Sequence, residues 1–368
     1  MKVGTITFFN SENYGAVLQA YALSRKIREM GHECEIINYC NKDHGVADRY
    51  GIFENSGNIK GTIRDVLSLP RYYELKRKRE KFKQFMRDYF LLSKETYRSN
   101  EDLRKNPPGY DAYVCGSDQI WKAEKGQYIH TPYFLEFAQY FTARTISYAP
   151  SFGKTSVPSH LRGEIVQLLS KIMYLSVREM QGKRIIRELA DRDAEVVLDP
   201  TLLLQAAEWD VLKKTPKMEG KYILVYSLQR NALLTDLINR VKKVTKLPVV
   251  VISATGVNFV RPADRVIYDA DPGDFIGLIR KAACVCTNSF HGTAFSIIHR
   301  KPFFTVPHST SNSRISSLLD ILELSHRQIK NTADISGDPL SIDYTIAEGL
   351  LEAEREKSLR FLRMALDG

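Results

Sequence analysis

No run in these 368 residues approaches the roughly 18 uninterrupted apolar side chains that a membrane-spanning helix needs. The opening apolar stretch, residues 3–9, is too short for the core of a signal peptide, so a cytoplasmic location is expected. Cysteine is scarce. Cys34, Cys40, Cys115, Cys284 and Cys286 are odd in number and sit in apolar, strand-like text, which argues against a disulfide framework. Only Cys284 and Cys286 are close, and C-x-C without a second pair or a neighbouring histidine is a poor zinc signature, so no metal and no cofactor are expected. The sequence also lacks G-x-S-x-G, G-x-x-x-x-G-K-[ST] and G-x-G-x-x-G, which disfavours a nucleophile-elbow hydrolase, a P-loop kinase and a classical dinucleotide site. A net charge of +10 comes without any helix-turn-helix, RRM or zinc-finger pattern and is spread along the chain. No nucleic-acid partner is expected; anionic small molecules or a membrane surface account for the charge equally well.

What is present is the composition of a folded enzyme, 43% hydrophobic and 26% charged, in a chain too long for one ordinary core. Strand-sized apolar runs at 2–9, 33–39, 112–115, 145–148, 173–177 and 195–198 alternate with helical periodicity, the first helix running from about 16 to 30 before Gly31. A polar, broken stretch at 212–221 precedes a second series of strands at 222–226, 248–252, 283–287 and 302–306. Helices fall near 232–245, 272–281 and 292–299. The expected architecture is α/β, with two Rossmann-like domains, 1–211 and 212–345, on either side of a cleft, and a last helix in 346–368 that packs back on the first domain. The segment 75–90, from Leu75 at one end to Phe90 at the other, is a basic amphipathic helix. Phe82, Phe85, Met86 and Tyr89 mark one side and Lys76, Arg77, Lys78, Arg79, Lys81, Lys83 and Arg87 the other. It reads either as a core-facing stripe with a solvated back or as a contact with a membrane surface or an acidic glycan.

Ligands of open parallel sheets bind beyond the carboxyl ends of the strands, which singles out four places. Asn13, Tyr14, Gly15 and Gln19 begin the first helix, where free N–H groups can meet an anion or sugar hydroxyls; a tight β-to-α turn explains them equally simply. Ser117, Asp118, Gln119 and Trp121 follow a strand and combine carboxylate, amide and indole, a set suited to a sugar. The other reading makes Asp118 a helix N-cap and leaves Trp121 in the core. Arg178 ends a strand where a guanidinium can clamp a carboxylate or phosphate, or pair with Glu179 or Asp199. His291, within Asn288-Ser289-Phe290-His291-Gly292-Thr293, stands at the mouth of a helix whose amides can hold phosphate beside an imidazole that titrates near neutrality.

Together these segments resemble the polysaccharide pyruvyl transferase family. The resemblance rests on residues 13–20, 115–121, 176–179, Asp199-Pro200-Thr201 and 288–293. It implies a GT-B-like pair of domains with phosphoenolpyruvate as donor and a sugar, lipid-linked or free, as acceptor, at or near the inner face of the membrane. It further implies that His291 acts in proton transfer, that Arg178 and Arg314 bind the donor with Ser289, Gly292 and Thr293, and that Asp118 receives a proton from the acceptor. The acceptor would lie on the first domain near Asn13, Tyr14, Gly15, Gln19, Ser117, Gln119 and Trp121. The alternatives are a GT-B glycosyltransferase, with Asp269 or Asp271 holding the ribose of a nucleotide sugar, and a glycan-binding protein without turnover.

Overall fold

The computed structural model describes residues 1–40, 59–140, 142–216, 218–254, 260–307, 313–335 and 337–368. Its centre is two five-stranded sheets. In the first, β1 (Lys2–Ile6), β2 (Glu33–Tyr39), β3 (Leu92–Tyr97), β4 (Ala112–Cys115) and β5 (Arg144–Ser147) lie in the order β3-β2-β1-β4-β5. A small sheet of β6 (Ser176–Val177) and β7 (Glu195–Val196) continues from it through a bridge between Ile146 and Tyr174. The second sheet holds β8 (Ile223–Ser227), β9 (Val249–Ser253), β10 (Arg265–Ile267), β11 (Cys284–Thr287) and β12 (Phe303–Thr305) in the order β10-β9-β8-β11-β12. Every pairing is parallel. The two halves thus repeat one doubly wound topology, and in each the strand order reverses between the first and fourth strands.

Burial explains which strands form where. β4, β8, β9 and β11 are buried at every position because helices cover both faces of a parallel sheet, so they read as unbroken apolar runs. The helix Tyr14–Glu29 starts at Asn13, whose side-chain oxygen accepts from the amides of Gly15 and Ala16. It closes before Gly31, whose φ of +91° suits the left-handed exit.

The cleft expected between the halves is partly filled. Tyr14 is fully buried, stacks on Phe275 at 4.7 Å and 10°, meets Tyr226 edge-on and donates to the carbonyl of Ala270. One apolar cluster runs through Tyr14, Phe82, Trp209, Phe275 and Phe295, joining both sheets.

The basic helix is also committed inward. Within Ile59–Tyr89, Phe82 and Phe85 are buried, and Lys78 is buried with its ammonium donating to the carbonyls of Ser253 and Ala254. Arg77 and Lys81 pair with Asp269, and Arg79 pairs with Glu12. Three of these cations, Arg77, Lys78 and Lys81, therefore fasten the two halves together, because their stems cross the junction to reach a carboxylate and carbonyls on the far side, and Arg79 ties the helix to Glu12 within the first half. The final helix, Thr345–Asp367, packs on the first half: Leu198 N donates to Ser358 Oγ, Arg355 donates to Leu202 O and Arg144 to Leu366 O. Among the described residues no helix is long and apolar enough to cross a membrane.

Candidate active site

The two strand-order reversals face one another, and the residues that leave them converge. Beyond β1, Thr7 donates to the carbonyl of Ser117 at 2.9 Å. Beyond β4, Gly116 passes so close to Thr7 that a side-chain carbon there would lie 2.9 Å from it. The hydroxyl of Ser117 is then placed between Ala149 O and Asp199 Oδ2, at 2.9 and 2.8 Å. Asp118 follows with φ +78°, a conformation costly for any residue but glycine and one that marks sites where geometry is held against local preference.

Asp199 is the hub. It caps the short helix Pro200–Leu203 and accepts from Thr201 N at 3.0 Å and Thr201 Oγ1 at 2.7 Å on one oxygen. On the other it accepts from Ser117 and from Arg178 Nη1, the latter at 2.7 Å. His291 Nε2 lies 3.7 Å from Asp199 Oδ1, within ion-pair reach and beyond hydrogen-bond length. Burial opposes the charge on Asp199, yet His291, Arg178 and Thr201 overcome it and hold the carboxyl well below the usual carboxylate range. Arg178 is itself buried, with the Phe290 ring 4.5 Å from its guanidinium carbon, and burial there is outweighed by Asp199, Asp118 and Glu179, which keep it charged.

Around this hub several polar atoms are buried without a hydrogen bond among the described residues: Arg178 Nε and Nη2, Arg314 Nε, Glu179 Oε2 and His291 Nε2. Buried polar atoms are rarely left unmatched, and a group of them at one spot points to a polar ligand. Arg314, in the helix Ser313–Ile321, is lowered to about 10 by burial first and by Arg178 second, so it remains a cation at neutral pH. With its amide oxygen turned toward the guanidinium, Gln119 accepts from both terminal nitrogens of Arg314 at 3.2 Å. The structure thus brings Ser117, Asp118, Gln119, Arg178, His291 and Arg314 into one neighbourhood.

Other expected site residues lie elsewhere or are already occupied. Trp121 is buried, stacks on Phe134 at 4.8 Å and donates to Tyr133 O, so it is a core residue, not an acceptor platform. Gln19 is fully buried, with its amide nitrogen donating to Thr7, Phe8 and Ala16, and Tyr14 fills the junction between the halves. In the helix Phe290–Ile298, the amides of Gly292 and Thr293 already donate to Ser289, and a side-chain carbon at Gly292 would collide with Thr287. Those three residues build the turn that presents His291, and the amides of Gly292 and Thr293 are already engaged. Gly15 has a related role, since a side-chain carbon there would enter the His291 ring.

Asn13 commits its side-chain oxygen to the helix cap but still faces an open space. It lines a cavity of about 180 Å³ with Phe9, Asn10, Tyr39, Tyr133 and Asp118, at the carboxyl edge of the first sheet. A larger cavity, about 640 Å³, lies apart from Arg178 and His291, between the helix Phe290–Ile298 and the start of the last helix. Its cations Arg280, Arg300 and Arg355 pair with Asp210, Glu348 and Glu352, which makes it the poorer anion site despite its size. Asp199 and Glu179 entered the sequence reading only as ion-pair partners for Arg178, and Asn288 only as part of its motif; Asn288 ties β8 to β11 by accepting from Leu228 N and donating to Gln229 O.

Solved structures with the same architecture include a protein assigned as a UDP-N-acetylglucosamine 2-epimerase from Listeria monocytogenes. It has a TM-score of 0.52 and 11% identity, over 98% of this chain and 90% of that one. The UDP-GlcNAc 2-epimerase of Methanocaldococcus jannaschii has a TM-score of 0.50 and 12% identity, over 100% and 93%. At that identity they establish the GT-B-like fold and nothing of the chemistry. No curated protein sequence matches the chain. The family model for polysaccharide pyruvyl transferase, however, matches residues 13–310, which take in every strand of the two sheets but β1, together with Asp118, Arg178, Asp199 and His291, and the chain belongs to that family of transferases.

Proposed function

We propose that this transferase moves the enolpyruvyl unit of phosphoenolpyruvate onto two hydroxyls of a sugar in a cell-surface polysaccharide or its precursor, forming a pyruvate ketal and releasing phosphate. The observation that carries the reading is the pair of buried guanidinium groups, Arg178 and Arg314, with unmatched N–H donors beside His291. Phosphoenolpyruvate has an anion at each end, and planar guanidinium forks suit both carboxylate and phosphate.

Protonation of C3 makes C2 electrophilic; one sugar hydroxyl adds, phosphate departs, and a second hydroxyl closes the ring. His291 supplies or relays a proton, and Asp118 receives one from an acceptor hydroxyl, with the sugar in the cavity lined by Asn13 and Asp118. The nucleotide-sugar reading is weaker. Asp269 is held by Arg77 and Lys81, and Asp271 caps the helix Pro272–Lys281 and pairs with Lys214, so neither carboxylate is free for a ribose.

The test is thermal unfolding of wild type and Arg314→Gln with phosphoenolpyruvate, nucleoside diphosphates and nucleotide sugars. Stabilisation by phosphoenolpyruvate that is lost in the variant supports the donor assignment. A response to nucleotides alone moves the case to glycosyl transfer. Glycan binding with no donor response and no phosphate release leaves a binding protein.

A further inference from the structure

Three carboxyl groups surround Arg178, and they are treated very differently. Asp199 accepts four hydrogen bonds, one of them from Arg178. Asp118 lies 3.6 Å from Arg178 Nη2 and accepts from Gln119 N. Glu179 is the exception. It stands at the N-cap of the helix Met180–Ala190 and makes no capping bond; its side chain turns into the cluster, where the residue is 2% exposed. It accepts one hydrogen bond, from Ser151 Oγ to Oε1 at 2.7 Å, and its Oε2 is unmatched among the described residues, 3.9 Å from Arg178 Nε.

Ser151 fixes which oxygen of Glu179 is which. The serine oxygen already accepts from Gly153 N at 3.0 Å, so its one proton is directed at Glu179 Oε1. Oε1 is thereby an acceptor, and a proton bound to Glu179 would sit on Oε2, the oxygen that faces the other unmatched groups. The balance of charge favours such a proton. Asp118, Glu179 and Asp199 stand against two fixed cations, Arg178 and Arg314, with His291 beside Asp199, and a donor with negative charge at both ends adds further negative charge to this cluster. Burial, followed by Asp118, pushes the Glu179 carboxyl up, against Arg178, Ser151 and Arg314, which pull it down. Neighbouring carboxyls driven apart in this way are the usual signature of separate acid and base duties.

We propose that Glu179 takes up a proton on Oε2 as the anionic donor binds and delivers it to C3. The inference rests on phosphoenolpyruvate being the donor. The C2–C3 π pair forms the new C–H bond, and the positive charge left at C2 is met by the oxygen of the first sugar hydroxyl, whose proton passes to Asp118. The C2–O bond to phosphate breaks with its electron pair on phosphate, which takes the proton from Asp118. The second hydroxyl bonds to C2 and its proton restores Glu179. Over the cycle one hydroxyl proton ends on C3 and the other on phosphate. His291 then serves the phosphate end, beside Asp199.

Calorimetric titration of the full chain with phosphoenolpyruvate, in buffers of differing ionisation enthalpy near pH 7, measures proton uptake. Wild type is expected to take up close to one proton more than Glu179→Gln. The variant, an isosteric mimic of the protonated acid, binds at least as tightly and loses the wild-type fall in affinity of up to about tenfold per pH unit above neutrality. Ser151→Ala, which removes the donor to Oε1 and leaves the carboxyl in place, shifts that fall to higher pH. Equal uptake in wild type and Glu179→Gln, or a Ser151→Ala profile that stays put or moves down, overturns the assignment to Glu179 while leaving the donor intact. Absence of any phosphoenolpyruvate binding by wild type overturns both the assignment and the reading beneath it.

Discussion

The imidazole of His291 occupies the volume that a side chain at Gly15 would fill. The second residue of the first helix in one half and the second residue of a helix in the other are thus in van der Waals contact, and the position of His291 depends on a glycine 276 positions earlier in the chain (291 − 15). Gly15 has no need of an unusual backbone conformation; it is required for space.

Gly15→Ala is therefore expected to push His291 away from Asp199. The variant should lose about 1–3 kcal/mol of stability in urea titrations, the usual cost of overpacking. It should also bind phosphoenolpyruvate at least tenfold more weakly by calorimetry. Unchanged donor binding would show that His291 is not needed where it stands.

Asp199→Asn leaves buried Arg178 without its closest partner and should cost about 3–5 kcal/mol. The pH dependence is specific. Because the carboxyl is held well below its ordinary range, its stabilisation is fully present above its unfolded-state value of about 4 and is lost as the pH falls further. Denaturation midpoints of wild type and variant should converge from pH 5 downward, and a gap of constant size would contradict the pairing.

Lys78 tests the junction between the halves. Burial pushes it down to about 8, with Glu12 pulling the other way. Between pH 8 and its unfolded-state value near 10.4 the unfolded chain holds more protons at this site, so the contribution of Lys78 to stability rises with pH across that window and is least favourable below it. Lys78→Met should remove a penalty of up to about 3 kcal/mol at pH 7, offset by the loss of two hydrogen bonds worth about 1 kcal/mol each. Wild type should gain on the variant between pH 8 and 10, and stability curves measured at pH 7, 8.5 and 10 that stay parallel would refute this account.

The buried strands could be read from sequence because both of their faces meet helices, which leaves unbroken apolar text such as Ile223–Ser227 and Cys284–Thr287. The edge strands Leu92–Tyr97 and Arg265–Ile267 escaped, since the first is mostly exposed and the second has no fully buried residue, so that periodicity fades. In the site, Arg178 and His291 were legible from their place after strands. The pairing of Arg178 with Asp199 was one of the readings the sequence allowed, whereas the approach of His291 to the same carboxylate was not legible, because segments separated by tens of residues converge only through topology. Trp121, Tyr14 and Gln19 show the converse: a loop leaving a strand does not reveal which of its side chains turn inward. The cations of 75–90 likewise looked solvated because their partners Glu12, Asp269 and the carbonyls of Ser253 and Ala254 come from remote parts of the chain.

Tyr14 belongs to the first half by sequence and to an aromatic slot made by Tyr226 and Phe275 in the second by packing. Neither sheet owns a complete interior. Cut apart at the connection, each half would carry an apolar scar where the other had been, so the unit that recombination can exchange is the pair. A graft of one half onto a foreign partner would first have to rebuild a socket for a single tyrosine ring.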